Sequence, residues 1–213
     1  MMRLEQASRT HVGLVREKNE DSMLVAPDIG LYVVCDGMGG HVGGQVASQL
    51  AVQTIDQVIR TGQPPQPPED RDPLATAIRC ANYAIFTRAR QDPSLHNMGT
   101  TVVGVRQQGD VLHICHVGDS RLYHLRDGAI SWRTLDHTRV ERMVRMGILT
   151  PEQAKNHPDA NIVTRAIGHN NPSEGATPEP EVQEEPLLLL AGDVIVLCSD
   201  GVYDDVTDEE LRS

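Results

Sequence analysis

The sequence predicts an α+β fold, and three observations carry that expectation. Short aliphatic runs rich in β-branched residues recur along the chain. Turn sequences follow two of these runs closely enough to make hairpins, so several strands are sequential neighbours and antiparallel. Two longer stretches space their apolar residues for a helix instead. The chain has 213 residues, enough for one domain with its own core, and residues 1–213 are expected to form one. With one Phe, one Trp and four Tyr, that core must be built from Leu, Ile, Val, Ala and Met.

Strands are expected over residues 22–26 and 31–35. Val46, Leu50, Ala51, Ile55, Val58 and Ile59 then mark one face of a helix, as do Leu74, Ala77, Ile78, Ala81, Ile85 and Phe86. Between the helices, residues 61–73 hold two Pro-Pro pairs that cannot continue a helix, so they form a surface connector. Strands follow over 100–106, 111–117 and 122–125, with Gln107-Gln108-Gly109-Asp110 and Arg126-Asp127-Gly128 as hairpin turns. Residues 137–170 are less regular and form a small insertion. In it, residues 140–146 suit a helix, Thr150-Pro151-Glu152 a helix start and residues 157–161 a turn. Residues 170–185 are acidic and proline-rich, expected as a loop plus an edge strand, and 194–198 is the last strand.

Composition excludes some functions. Nineteen Lys and Arg against thirty Asp and Glu leave a net charge of −11, the opposite of a nucleic-acid footprint. No apolar run approaches the ~18 residues of a membrane span, and the N-terminus lacks the apolar core of a signal peptide. A soluble cytoplasmic protein is expected, with no membrane or nucleic-acid partner. Cys35, Cys80, Cys115 and Cys198 are too scattered for a disulfide framework or a zinc site and read as reduced thiols.

Acidity suits a cation, and the carboxylates show where. Three aliphatic strands run into an aspartate beside glycine, at Asp36-Gly37, Gly118-Asp119 and Asp200-Gly201. Any one of them is explained by turn formation. Three such ends lying side by side would crowd carboxylates that cannot all stay ionised without a counter-charge. Hard oxygen donors of this type select Mg²⁺ or Mn²⁺. Glu20 and Asp21 add two more carboxylates, and Arg16 is a fixed cation able to clamp a phosphate in bidentate fashion. The glycines after Asp36 allow close backbone approach, with the Gly37 carbonyl as a possible ligand. His41 is either a proton donor to a leaving oxygen or a loop residue. No Ser-His-Asp order or nucleophile elbow is visible, which disfavours a covalent acyl-enzyme.

Arg16-Glu17-Lys18-Asn19-Glu20-Asp21-Ser22, Asp36-Gly37-Met38-Gly39-Gly40-His41, Gly99-Thr100-Thr101, His116-Val117-Gly118-Asp119-Ser120-Arg121 and Ser199-Asp200-Gly201 resemble the ordered motifs of bacterial metal-dependent serine/threonine phosphatases of the protein phosphatase 2C family. The resemblance runs from about residue 7 to the C-terminus. It implies two packed antiparallel sheets flanked by helix pairs, an α-β-β-α sandwich with the metal centre at one end and residues 137–170 as a flap beside it. It further implies that Asp36 bridges two metals and the Gly37 carbonyl binds one of them. Asp200 would ligate the second metal, with Glu20 acting directly or through water. Asp119 and Asp200 would form a third, weaker site supported by Asp204. Arg16 would bind phosphate, and His41, with Met38 where eukaryotic members carry His, would be the candidate acid. The family pattern ends in an Asp-Asn segment that this sequence lacks, so the domain is expected to be truncated at its C-terminus. The implied activity is hydrolysis of phosphoserine and phosphothreonine in proteins, the targets of a serine/threonine kinase, by a metal-activated water. A regulatory relative with lost metal affinity and a phosphoesterase acting on nucleotides are the alternatives.

Overall fold

The computed structural model describes residues 4–39, 42–63, 72–168 and 178–212. Strand β1 (Asp21–Ala26) pairs antiparallel with β2 (Leu31–Met38), and helices α1 (Gly43–Thr61) and α2 (Pro73–Gln91) follow. Next come β3 (Gly99–Thr100), β4 (Val102–Gln108), β5 (Val111–Val117), β6 (Arg121–Arg126) and β7 (Ala129–Arg133). The insertion holds α3 (Arg139–Arg145) and α4 (Pro151–Lys155), and the chain closes with β8 (Glu181–Val182), β9 (Leu187–Leu188), β10 (Val194–Cys198) and α5 (Asp200–Tyr203). No helix among the described residues is long and apolar enough to cross a membrane.

Two antiparallel sheets result. The larger runs β1-β2-β4-β5-β8, with β3 on β2 and β9 on β5; the smaller runs β10-β6-β7. Period-two alternation gives each strand of the larger sheet two jobs. Leu31, Val33, Cys35, Val102, Cys115 and Val117 face the helix pair. Tyr32, Val34, Val103, Val105, Leu112 and Ile114 face Leu122, Trp132, Ile195 and Leu197 of the smaller sheet. The far face of that sheet is closed by Tyr123, Leu125 and Cys198 packing with Tyr203 and Leu211.

The helices start and stop where side-chain chemistry permits. Asp72 caps α2 by accepting the Leu74 and Ala75 N–H groups at 2.7 and 3.0 Å, with Pro73 at the first turn. Thr150 and Gln153 form a reciprocal capping box on α4, at the start the sequence indicates. The buried face of α1 is built from Ala47, Ser48, Ala51, Ile55 and Val58, while Val46, Leu50 and Ile59 are only partly buried. Small side chains let the helix sit close to the sheet and to α2, which turns the larger residues to the flanks. The proline-rich connector falls largely outside the described residues.

Two short strands escape the sequence reading. β7 follows the Arg126-Asp127-Gly128 turn, where Asp127 and Gly128 both take positive φ (53° and 71°), the backbone of a tight hairpin. A bulge then leaves Ser131 unpaired between the Leu125–Ile130 and His124–Trp132 partners. Its hydroxyl lies 2.7 Å from His124 Nδ1, and His124 Nε2 lies 3.0 Å from Asp193 Oδ2. Asp193 also takes a bidentate bond from Arg126. This run bolts three strands together at the end of β10 remote from Asp200.

Gly37 sits where β2 meets the start of α1. A Cβ there would lie 2.1 Å from the Gly44 carbonyl oxygen and 2.7 Å from that of Glu20. Gly37→Ala is therefore expected to lower stability by about 3 kcal/mol, roughly 6–12 °C in melting temperature. Gly109→Ala, whose added Cβ meets nothing within 4 Å, carries only the cost of its positive φ. Thermal melts of the two variants check the ranking.

Candidate metal centre

The register of β1 and β2 places Asp21 directly opposite Asp36. The backbone of Asp36 is held tightly: its N–H donates to Thr101 Oγ1 at 3.0 Å, and its carbonyl accepts from Thr101 N at 2.9 Å and Thr100 Oγ1 at 2.8 Å. Thr101 Oγ1 in turn lies 2.6 Å from Ser120 Oγ, beside Asp119. From β10, Ser199 Oγ donates to Asp21 Oδ2 at 2.8 Å. Two sets of hydroxyl bonds thus hold these ends: Thr100, Thr101 and Ser120 join the end of β2 to the segment after β5, and Ser199 joins the end of β10 to β1.

The carboxylates so assembled disturb one another. Burial raises Asp36 well above the ordinary carboxylate range, and the charges of Asp21 and Asp200, with Asp119 behind them, push it further. Asp21 is raised chiefly by burial, which outweighs its bond from Ser199. Asp119 is pushed up to about 6 by burial and then by Asp136 and Asp200. Asp204 is raised by burial and by Asp200. Burial lifts the Tyr203 phenol, and Asp119 and Asp136 add to it.

The structure brings Asp21, Asp36, Asp119 and Asp200 into one electrostatic cluster, with Asp204 at its edge. Glu20 stands beside it through backbone contacts, its carbonyl accepting from Gly37 N and Ser48 Oγ. A Cβ on Gly44 would meet Glu20 Oε1 at 2.7 Å, so the glycines here serve the approach of β2, α1 and Glu20. Arg16 is exposed on the segment before β1, with no paired side chain among the described residues. His41 lies outside the described residues. Sequence reasoning passed over Ser199, Ser120 and Asp136, whose roles depend on which strands become neighbours.

A second group of metal-type ligands, His116, His137 and Glu181, has its ligand atoms within 4.8 Å of one another. Its hydrogen bonds oppose metal binding. His137 Nδ1 accepts the Gly118 N–H at 3.1 Å, so the ring proton stays on Nε2, 3.0 Å from Glu181. The two rings stack at 4.6 Å, and burial pushes His137 down to about 4 against the pull of Glu181. This cluster fastens the start of the insertion to β5 and β8.

Clustered, partly buried carboxylates at one end of a two-sheet sandwich define a site suited to hard divalent cations. Residues 7–213 match the family described as Protein phosphatase 2C, and the chain belongs to that family. It is 38% identical to the serine/threonine protein phosphatase PstP of Mycobacterium tuberculosis over 98% of this chain and 38% of that protein's length. It is 33% identical to the serine/threonine phosphatase stp of Listeria monocytogenes, covering 96% of this chain and 80% of that protein. The crystal structure of the PstP catalytic domain with two manganese ions superposes with a TM-score of 0.76 at 37% identity, covering 94% of this chain and 79% of that one.

Asp119 gives the metal-free chain a signed pH dependence. Its carboxyl titrates at about 6 in the fold against an ordinary 3.8. The stability it adds is full below about 3.8 and is lost as pH rises through about 6. Asp119→Asn has no such loss. In EDTA, the melting temperature of this variant minus that of the parent should grow from about pH 5 to about pH 7.5, by roughly 2–4 °C per ~1 kcal/mol. A constant difference would mean that Asp119 is ionised throughout.

Proposed function

We propose that this chain is a metal-dependent phosphoprotein phosphatase that hydrolyses phosphoserine and phosphothreonine. The observation that carries the reading is the mutual repulsion of Asp21, Asp36, Asp119 and Asp200 in a chain of this family. Asp21, Asp36 and Asp119, raised by burial and by neighbouring charge, are relieved by a divalent cation, so the donor set fits the ions found in the PstP structure.

Asp36 and the Gly37 carbonyl would hold two ions between them, with Asp200 and Glu20 as further ligands, Asp21 nearby, and the family's Asp-Asn ligand of the second ion missing from this sequence. Asp119, Asp200 and Asp204 would hold a third, weaker one. Manganese or magnesium suits these oxygen donors equally. When bound, such ions supply Lewis acidity, making water nucleophilic at neutral pH and offsetting phosphoryl charge.

The protein's own groups do the rest. Thr100 and Thr101 fix the Asp36 backbone, so its carboxylate does not reorganise when charge develops. Ser199 holds Asp21 in one orientation. Arg16, exposed and unpaired among the described residues, is available to bind the substrate phosphate through its planar fork. His41 is assigned proton donation to the leaving seryl or threonyl oxygen. The substrates are phosphorylated proteins, the products of a serine/threonine kinase, met in the cytoplasm.

Phosphate release from phosphoserine and phosphothreonine peptides, with and without manganese, tests the reading; a nucleotide substrate serves as the comparison. Manganese-dependent release from peptides is expected. Preference for the nucleotide, or manganese binding without turnover, would overturn it. Asp36→Asn should abolish nearly all turnover and most manganese binding by calorimetry, yet melt at or above the parent temperature without metal, because a neutral amide avoids the cost of burying or protonating that carboxylate. Arg16→Ala should raise KM for the peptide about tenfold or more, as expected for loss of a charge-assisted bidentate contact, and leave manganese affinity unchanged.

A further inference from the structure

Arg121 is two residues beyond Asp119, its charge offsets those of Asp119 and Asp204, and every edge of its guanidinium is engaged elsewhere. Nε and one terminal nitrogen form a bidentate pair with Asp136 at 2.9 and 2.6 Å, and the other terminal nitrogen donates to the Tyr123 hydroxyl at 2.8 Å. Its face lies on the ring of Tyr203, with the central carbon 3.5 Å from the ring centroid. Arg121 and Asp136 are both largely buried, their side chains 19% and 9% exposed.

The two partners belong to different parts of the site. Tyr203 ends the short helix α5 that begins with Asp200, and the Asp204 N–H closes that turn on the Asp200 carbonyl at 2.9 Å. Asp136 precedes His137, which accepts the Gly118 N–H next to Asp119. The Ser199 hydroxyl makes no cap bond to α5 and instead ties the residue before Asp200 to Asp21, which leaves the turn beyond Asp200 without a side-chain cap. A single turn is not stable alone, so its place is set by what it packs against.

We propose that Arg121 is a positioning residue for the reaction: stacked on Tyr203 and clamped by Asp136, it sets where Asp200 stands relative to Asp119 and Asp36. This rests on the reading of Asp200 as a metal ligand. Lysine cannot replace arginine here, because an ammonium lacks both the flat face for the ring and the fork for the carboxylate. The ring matters and its hydroxyl does not.

The test compares Arg121→Lys, Tyr203→Leu, Tyr203→Phe and Asp200→Asn. It measures manganese affinity by calorimetry, hydrogen exchange of the α5 amides without metal, and kcat and KM for a phosphopeptide at saturating manganese. Arg121→Lys and Tyr203→Leu should each weaken manganese binding about tenfold or more, the range for residues that orient metal ligands, and should speed α5 exchange. KM for the peptide should change less than about twofold, since the role runs through the metal ligands. Tyr203→Phe should match the parent, and the Arg121→Lys/Tyr203→Leu double variant should be no worse than the poorer single one, because the two side chains act as a unit. If Asp200→Asn keeps parental manganese affinity, the metal assignment is wrong and the proposal falls with it. If Asp200→Asn loses affinity but Arg121→Lys and Tyr203→Leu do not, the positioning role alone is overturned.

Discussion

Four carboxylates crowded at one corner, three of them buried or half-buried and Asp200 at the open edge, are the constraint on which the rest of this structure turns. Asp21, Asp36, Asp119 and Asp200 come from different strands and strand ends, and the charge of Asp200 opposes ionisation of each of the other three. Like charges at short range would separate if the backbone allowed it. The fold must therefore supply restraint at each point of attachment. It does so with neutral hydroxyls: Thr100 and Thr101 on Asp36, Ser120 beside Asp119, Ser199 on Asp21. None of these groups adds charge, so the demand for a cation is left intact.

The two-sheet architecture makes that restraint affordable in packing terms. One face of each central strand is anchored under the helix pair, and the other is interleaved with the smaller sheet. A slip of one residue would exchange the two sets and carry Asp36 away from Asp21. Apolar alternation along the strands thus fixes the polar geometry at their ends. The approach of β2 to α1 at Gly37 and Gly44 allows no side chain on either residue, so these two glycines are a packing requirement first.

Much of this was legible in the sequence because it is local or periodic. The β-branched runs, the two helical faces, the Thr150 helix start and the aspartates at strand ends each depend on residues close in the chain. β7 and β9 were not legible. β7 has one bulged and several half-exposed residues, and β9 is two residues long, stabilised by pairing with Val111 and Leu112. The same reason hid Asp136 and Tyr203: neither carries a pattern of its own, and their meaning arises from Arg121 standing between them. The acidic motif residues were found one by one, but their mutual repulsion follows only from the register of β1 on β2 and of β10 on β6.

The insertion after β7 is sewn shut at its base. Thr164 N–H donates to the His137 carbonyl at 2.7 Å, Arg139 N–H to that of Ile162 at 2.9 Å, and Thr100 exchanges two 2.9 Å bonds with Ile167. Mechanically it is a cantilever: α3 stays against the root through buried Val140 and the Arg133–Glu141 pair, and α4, with no buried residue, is its outer part. The root shares Thr100 with Asp36, whose carbonyl accepts the Thr100 hydroxyl. A load that opened the root would act on Asp36 directly, through Thr100, whereas no hydrogen bond among the described residues joins α4 to Asp36.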